Sequence, residues 1–310
     1  MSENKSEELE GADEVCASCG IAAIDDITLK FCDDCDLVKY CSGNCRENHR
    51  EQHEEECKKR KAELHDKQLF TQPDISHLGE CTLCCLPLPI DERKSSMMPC
   101  CCKIICNGCN YANQKREREA GLKHRCAFCR EPLPKSEEES DRNFMKRIKK
   151  HNDPVAITHM GKHHASKGEY KKTVEYYTKA AKLGDVGAYF HLGCLYHNGK
   201  GVEKDQKKAM YHLEQAAIGG HPQARIVLAG YEQKNGRSER AVKHLMIAAD
   251  LGCDTSLQCI KELFVYGKVS KEEYASALRG YQTAVNEMKS AERDEAKAFH
   301  ARQLNNKIDN

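Results

Sequence analysis

The sequence has 310 residues, room for about two or three domains. Its 49 Lys and Arg nearly balance its 48 Asp and Glu, which excludes a strong net field that would attract nucleic acid or an anionic membrane to the whole molecule. No run approaches the about 20 apolar residues of a membrane span, and the acidic start lacks the apolar stretch of a secretory signal. We therefore expect an intracellular protein, cytoplasmic or nuclear, with a disordered segment at residues 1–15.

The cysteines are concentrated in the first half of the chain. All but three of the 20 cysteines lie at or before Cys129. A reducing compartment disfavours disulfides, so clustered Cys-x2-Cys pairs there indicate metal or redox chemistry. No thioredoxin-like pattern of strands and helices surrounds them, and metal binding is favoured.

The first 57 residues contain four pairs of metal-type side chains in regular order. They are Cys16-x2-Cys19, Cys32-x2-Cys35, Cys41-x3-Cys45 and His53-x3-Cys57. Zinc takes four ligands at tetrahedral angles, and a two-residue gap lets one turn aim two sulfurs at the same ion. Four pairs thus predict two zinc ions, each worth on the order of 10–16 kcal/mol to a unit too small for a sufficient core.

The last of these pairs falls in a predicted helix. Residues 46–57, RENHREQHEEEC, contain no Gly or Pro, and a helix would place His53 and Cys57 on one face. His49 lies one turn before His53 and is the alternative ligand. A histidine in so charged a segment is usually solvated, and we predict His53.

The whole pattern, including Tyr40 directly before Cys41, resembles a MYND-type zinc finger over residues 16–57. The resemblance implies interleaved ligands, with one ion on Cys16, Cys19, Cys41 and Cys45 and the other on Cys32, Cys35, His53 and Cys57. It also implies a protein-interaction module, since many such fingers dock proline-containing peptides. No coordination position stays open for catalysis, and no segment typical of a methyltransferase follows.

A second cysteine cluster opens after residues 58–80, which we interpret as a helix extension running into a linker. The cluster reads Cys81-x2-Cys84, Cys100-Cys101-Cys102, Cys106-x2-Cys109 and Cys126-x2-Cys129. It resembles a RING-type finger over residues 81–134, and two further zinc ions bring the expected total to four. The central pair is either Cys100 with Cys101, which we favour, or Cys100 with Cys102. Cys85 and the spare central cysteine are expected to be ordinary small side chains.

Two residues of the second finger carry a functional expectation. Leu83 lies inside the first pair and Arg130 follows the last, and the RING resemblance implies contact with a ubiquitin-conjugating enzyme at both. The sequence departs from that family in having no Trp and in Ala127, which stands where Pro is common. The basic stretch between Cys109 and Cys126 is interpreted as a solvated helix, so nucleic-acid binding is not favoured.

The second half contains helical repeats. Alanine pairs recur at Ala180, Ala216 and Ala248, where small residues let neighbouring helices approach closely. Residues 185–220 resemble a Sel-like repeat, a relative of the tetratricopeptide repeat. After a charged linker at 135–152, residues 153–299 are predicted to form an α-solenoid with C-terminal capping helices, followed by a frayed tail at 300–310.

The predicted fold is mainly α, with two small zinc-stabilised fingers (MYND-type and RING-like) followed by an α-solenoid of helix-turn-helix repeats. The predicted function is a zinc-binding adaptor or scaffold with protein partners. One alternative is a RING-type ubiquitin ligase that recruits a conjugating enzyme through Leu83 and Arg130. Another is a MYND-type regulator of transcription or chromatin.

Overall fold

A computed structural model describes residues 15–23 and 27–308, with side chains placed as far as residue 303. The chain divides into two compact units, Met1–Thr71 and Gln72–Asn310. The disorder expected for the N-terminus lies outside the described residues except for Val15. Within the described ranges we find no helix with the length and apolarity that a membrane span requires.

The first unit is a small finger with little apolar core. Strands β1 (Lys30–Phe31) and β2 (Lys39–Tyr40) pair antiparallel, and helices α1 (Gly43–Asn48) and α2 (Arg50–Leu69) follow. The helix predicted over residues 46–57 therefore occurs in two pieces that meet at His49. The buried cluster consists of three cysteines and a tyrosine, Cys16, Cys32, Cys35 and Tyr40. Metal ligands rather than aliphatic side chains thus occupy the centre of this unit.

The second unit begins with the second finger. A 3₁₀ turn at Glu92–Lys94 leads into strand β3 (Ser95–Met97), which pairs antiparallel with β4 (Ile104–Cys106). Helix α3 (Asn107–Glu119) follows at once. Leu88 and Ile105 are buried among the cysteines of this finger.

The remaining helices form the repeats. They are α4 (Glu137–His151), α5 (Pro154–Ser166), α6 (Tyr170–Lys182), α7 (Val186–Asn198), α8 (Gln206–Ile218), α9 (Pro222–Lys234), α10 (Ser238–Asp250), α11 (Asp254–Val265), α12 (Lys271–Glu287) and α13 (Ala291–Ile308). The closest packing joins α5 to α6, α7 to α8 and α9 to α10. Ala180, Ala216 and Ala248 are completely buried, as close helix packing at the alanine pairs requires. The predicted fold class is confirmed.

The ends of the repeat helices follow from local sequence. Asp153 and Asp185 accept hydrogen bonds from the first turns of α5 and α7, and Pro222 lies in the first turn of α9. Gly184 follows α6 with φ +86°, a conformation that favours glycine after a helix. The local signals therefore set the helix boundaries.

The segment expected to be a charged linker is a packed helix. Residues 135–152 contain α4, where Phe144 is only 2% exposed and packs with Cys102, Ala156 and Met160. The apolar residues of α4 form one face that packs inward, and the charged residues lie on the outer faces. Because charges dominate the sequence of this segment, its apolar face was not recognised. Similarly, the expected tail at 300–310 continues α13 as far as Ile308.

The second finger packs against the repeats and is not merely connected to them through the chain. The segment before it lies against the turn between α8 and α9, where the His77 N–H donates to the Gly220 carbonyl over 3.0 Å. Glu92 pairs with Lys162 of α5 at 3.2 Å. At 58–80, where a helix running into a linker was predicted, α2 ends at Leu69 and a non-helical segment follows that contacts the repeats at His77.

Candidate metal centres

Four groups of cysteine and histidine side chains converge in the described residues, and within each group all donor atoms lie within 4.8 Å of one another. Centre 1 is Cys16, Cys19, Cys41 and Cys45; centre 2 is Cys32, Cys35, His53 and Cys57; centre 3 is Cys81, Cys84, Cys106 and Cys109; centre 4 is Cys100, Cys101, Cys126 and Cys129. The structure thus brings together all sixteen predicted ligands. The interleaved order expected for the first finger is present there, and the second finger, for which no order was predicted, has the same arrangement.

The distances in these groups fit zinc. The sulfur atoms of Cys41 and Cys45 are 3.5 Å apart, and those of Cys101 and Cys126 are 3.8 Å apart. Four thiolates around one zinc ion lie about 3.8 Å from each other, whereas a disulfide would require about 2.0 Å. Each group offers the four donors of a closed tetrahedral site, so zinc here would be structural and not catalytic.

The same turn recurs at five places in the two fingers. The N–H of the fifth residue donates to the carbonyl of the first, and the fifth residue has a left-handed backbone conformation. The five left-handed residues are Gly20 (φ +72°), Asp36 (φ +54°), Cys85 (φ +55°), Cys102 (φ +56°) and Arg130 (φ +65°). In four of the turns the first and fourth residues are both cysteines. The turn therefore aims two sulfurs at one ion and then reverses the chain.

The geometry of this turn favours Cys100 with Cys101 over Cys100 with Cys102 as the central pair. In the fifth turn Met98 takes the first position, Cys101 the fourth and Cys102 the left-handed fifth, with its N–H 2.7 Å from the Met98 carbonyl. The Cys102 side chain is buried with Phe144, and burial raises the pKa of its thiol to about 12. Cys100 and Cys101 face centre 4, and Cys102 does not. Cys85 is exposed and belongs to none of the four groups.

Centre 2 includes His53 and excludes His49. The Nε2 atom of His53 lies 3.1 Å from the sulfur of Cys35, and the ring is buried. His49 instead stacks on His53 at 5.8 Å between ring centroids and shares a hydrogen bond of 3.1 Å with the hydroxyl of Tyr40. His49 therefore lies outside the group, with its own partner in Tyr40.

The two residues predicted for partner binding lie on one open groove of the second finger. Its lining residues are Leu83, Ala112, Asn113, Arg116, Ala127 and Arg130, around a volume of about 550 Å³. Leu83 is 41% exposed and presents apolar surface at the groove. The small residues Ala112 and Ala127 leave the middle of the groove open.

Arg130 is held at the groove by a buried carboxylate that the sequence did not indicate. Its guanidinium lies 3.3 Å from Oε1 of Glu117 and donates to Asn113 Oδ1 over 2.8 Å. Burial alone would raise the pKa of Glu117. The Arg125 backbone N–H at 3.2 Å, the His124 ring and the charge of Arg130 outweigh burial, and the pKa is lowered. Glu117 therefore stays ionised. The sequence did not indicate this role, because the charged segment that contains Glu117 was interpreted only as a solvated helix.

Comparison with known families identifies two modules. The MYND finger profile matches residues 16–57, and the Sel1 repeat profile matches residues 159–185 and 186–221. The second repeat match corresponds to the segment that resembles a Sel-like repeat, and the first extends the repeats toward the second finger. A comparison with curated proteins gives no significant match.

Similar solved structures include three helical proteins. A Sel1 repeat protein from Oxalobacter formigenes is 24% identical with a TM-score of 0.42, and the match covers 57% of this chain and 71% of that one. The protein c5321, a protective antigen of uropathogenic Escherichia coli with an SLR fold, is 22% identical with a TM-score of 0.38. That match covers 63% of this chain and 40% of that one. MamA is 18% identical with a TM-score of 0.32, and the match covers 59% of this chain and 95% of that one.

Proposed function

We propose that this chain, a zinc-binding protein-interaction scaffold, is an adaptor that holds four zinc ions and docks a protein partner in the groove of its second finger. The observation that carries the proposal is the convergence of Leu83 and Arg130 on one groove. Apolar floor residues flanked by arginines are typical of a protein-docking surface. The zinc ions fix the loops that carry both residues, because Leu83 and Arg130 each lie within or next to a ligand pair.

A second candidate function is favoured by the same groove. In a RING-type ubiquitin ligase this groove would bind a ubiquitin-conjugating enzyme. The ligase would accelerate transfer by holding that enzyme and its ubiquitin in place, without a reactive group of its own. Leu83 would contact the enzyme, and Arg130 would hold the ubiquitin-bearing complex in a reactive geometry. The Glu117 carboxylate restrains the Arg130 side chain before the partner arrives, which lowers the entropy lost on binding.

Ubiquitin discharge from a panel of charged conjugating enzymes tests the ligase. The purified zinc-loaded chain is compared with Leu83→Ala and Arg130→Ala. The matched controls are Leu122→Ala, an exposed leucine of the same finger, and Arg93→Ala, an exposed arginine of the same finger. If the groove recruits the enzyme, we expect at least one enzyme to respond and each groove variant to lose about tenfold or more of the stimulation.

Two outcomes would contradict the ligase. One is that no enzyme responds although the protein retains its zinc. The other is that Leu122→Ala and Arg93→Ala reduce discharge as much as the groove variants do. A chain that binds a partner through the groove without stimulating discharge would be an adaptor only.

The first finger supplies a separate candidate surface for a proline-containing peptide. Phe31 is 52% exposed, and the amine of Lys39, its partner on the paired strand, lies 4.9 Å from the centre of the Phe31 ring. An exposed aromatic ring on a short hairpin is suited to packing against proline. Fluorescence polarisation with a library of proline-containing peptides should find binders that Phe31→Ala weakens and Arg50→Ala, on the exposed face of α2, does not. Equal weakening by both variants would contradict this surface.

The hypothesis of transcriptional or chromatin regulation stays a prediction from sequence. Its first test would be the location of a tagged full-length chain, since exclusion from the nucleus contradicts it.

A further inference from the structure

A single arginine of the C-terminal helix reaches into the second finger. Arg293 lies in the first turn of α13 and donates from Nη1 to the Pro87 carbonyl at 2.9 Å and from Nη2 to the Leu86 carbonyl at 3.3 Å. Nη1 also donates to the Met288 carbonyl at 2.6 Å, just beyond the end of α12. One guanidinium therefore joins the end of the repeats to the loop that follows Cys84.

The same guanidinium contacts a metal ligand. Its Nη2 donates to the sulfur of Cys84, a member of centre 3, over 3.7 Å. Four thiolates around a doubly charged zinc ion carry a net charge of about −2. A cation that hydrogen-bonds one of these sulfurs lowers the repulsion among them and orients the ligand, as outer-sphere partners do at other metal sites.

The contact belongs to a longer interface between α13 and α3. A Cβ atom added at Gly108 would lie 2.7 Å from the backbone nitrogen of Arg293, so the two backbones approach closely. Further along, the rings of Tyr111 and Phe299 pack at 4.8 Å between centroids, and Lys115 pairs with Glu295 at 2.6 Å. The two helices are thus in contact from Gly108, between two metal ligands, to Lys115.

We propose that Arg293 is an outer-sphere partner of centre 3 and that α13 docks on the second finger only while that centre holds its metal. The ion fixes the carbonyls and the sulfur that Arg293 recognises, and Arg293 slows loss of the ion. Because the same side chain bonds the Met288 carbonyl, the metal state of the finger also determines how the end of the repeats is held. This inference rests on the proposed ion at centre 3 and is independent of ligase activity.

The test uses the full-length chain loaded with ¹¹³Cd, whose resonance reports each ligand set separately. The four groups predict three resonances from all-thiolate sites and one from the site with His53. Arg293→Ala and Arg293→Lys should shift only one all-thiolate resonance, because Lys keeps the charge but lacks the guanidinium fork. Arg302→Ala, an exposed arginine on the same helix, should shift none.

Two further readouts accompany the spectra. With zinc-loaded protein and a chromogenic chelator, Arg293→Ala should release one ion about tenfold faster than the unaltered chain, and Arg302→Ala should not. Hydrogen exchange in α13 should rise when the chelator removes the metal, while the helices α7 and α8 keep their protection.

The outcomes separate the inference from the function on which it rests. If all four resonances are present but none moves in Arg293→Ala or Arg293→Lys, the inference is wrong and the four-ion proposal stands. If fewer than three all-thiolate resonances appear in the unaltered chain, the four-ion proposal is wrong and the inference falls with it. Unchanged exchange of α13 after metal removal would also overturn the inference.

Discussion

The guanidinium of Arg130 lies 3.3 Å from the carboxylate of Glu117, whose side chain is only 1% exposed although it belongs to a charged helix. The same carboxylate accepts the backbone N–H of Arg125 at 3.2 Å. Glu117 therefore holds both the backbone just before Cys126 and the arginine that borders the groove of the second finger. Because one buried carboxylate has this role, replacing it with an amide of the same shape should alter the groove.

We predict that Glu117→Gln destabilises the second unit and weakens groove function. The amide keeps the shape but loses the charge that pairs with Arg130, and hydrogen bonds to charged groups contribute about 1.5–3 kcal/mol. Since Arg130 is partly exposed, we expect a loss of about 1–2 kcal/mol, reduced by solvent screening. Urea denaturation measures this change. Glu119→Gln, an exposed neighbour on α3, should change stability by less than about 0.5 kcal/mol; an equal loss in both variants would contradict the role of Glu117.

A second prediction concerns the three adjacent cysteines. Cys100→Ser and Cys101→Ser should each lower the zinc content by one ion per chain. Cys102→Ala should leave the zinc content unchanged and cost about 1 kcal/mol through loss of its buried sulfur. Atomic emission of the purified variants measures the metal. Loss of one ion in Cys102→Ala would show that the turn starting at Met98 has been assigned wrongly.

The left-handed residues of the recurring turns give a third prediction. Cys85 has φ +55°, which costs a non-glycine residue about 1–2 kcal/mol. Cys85→Gly should therefore maintain the zinc content and raise stability by up to about 1 kcal/mol. Cys85→Val should lower it, since a β-branched side chain fits this conformation poorly. Thermal denaturation of the three proteins should rank Gly above Cys above Val, and the reverse order would contradict the strain at this position.

A fourth prediction follows from buried histidines in the repeats. Burial lowers the pKa of His191, which stacks on Tyr177, to about 4, and the nearby charge of Lys162 acts in the same direction. Between pH 6.5 and about 4 the unfolded chain therefore binds a proton that the folded chain does not. Stability falls as pH decreases through this window, by up to about 1.4 kcal/mol per pH unit for this group.

The variant His191→Gln isolates that contribution. Urea denaturation between pH 5 and 7.5, with zinc present, should give a shallower pH dependence for the variant than for the unaltered chain. His151→Gln, an exposed histidine at the end of α4, should leave the slope unchanged. Parallel curves for the unaltered chain and His191→Gln would contradict a neutral buried His191.

Local spacing made the metal groups and the repeat helices predictable. A two-residue gap between cysteines fixes a turn, and residues such as Asp153 and Gly184 mark helix ends through backbone hydrogen bonds formed within a few residues. Such features depend on neighbours in the chain, and the sequence shows them directly. The spacing of cysteines alone did not separate Cys101 from Cys102, because the fifth turn begins at Met98 and not at a cysteine.

The features that sequence did not predict depend on distant partners. Glu117 and Phe144 lie in charged segments that the sequence predicts to be a solvated helix and a linker, and Arg293 lies in a predicted capping helix. What distinguishes Arg293 from other charged residues of α13 is a set of acceptors more than 200 positions away in the chain. Local sequence periodicity does not indicate such a contact, so the packing of the second finger against the repeats becomes apparent only in the structure.

The central claim is that the groove beside Leu83 is a partner surface, and methyl NMR tests it most directly. The full-length zinc-loaded chain, labelled at leucine methyl groups, is titrated with a panel of ubiquitin-conjugating enzymes. The account predicts that at least one enzyme shifts the Leu83 signals while those of Leu122 stay in place. Unchanged Leu83 signals across the panel would contradict the conjugating enzyme as occupant, and shifts confined to leucines outside the groove would contradict the surface itself.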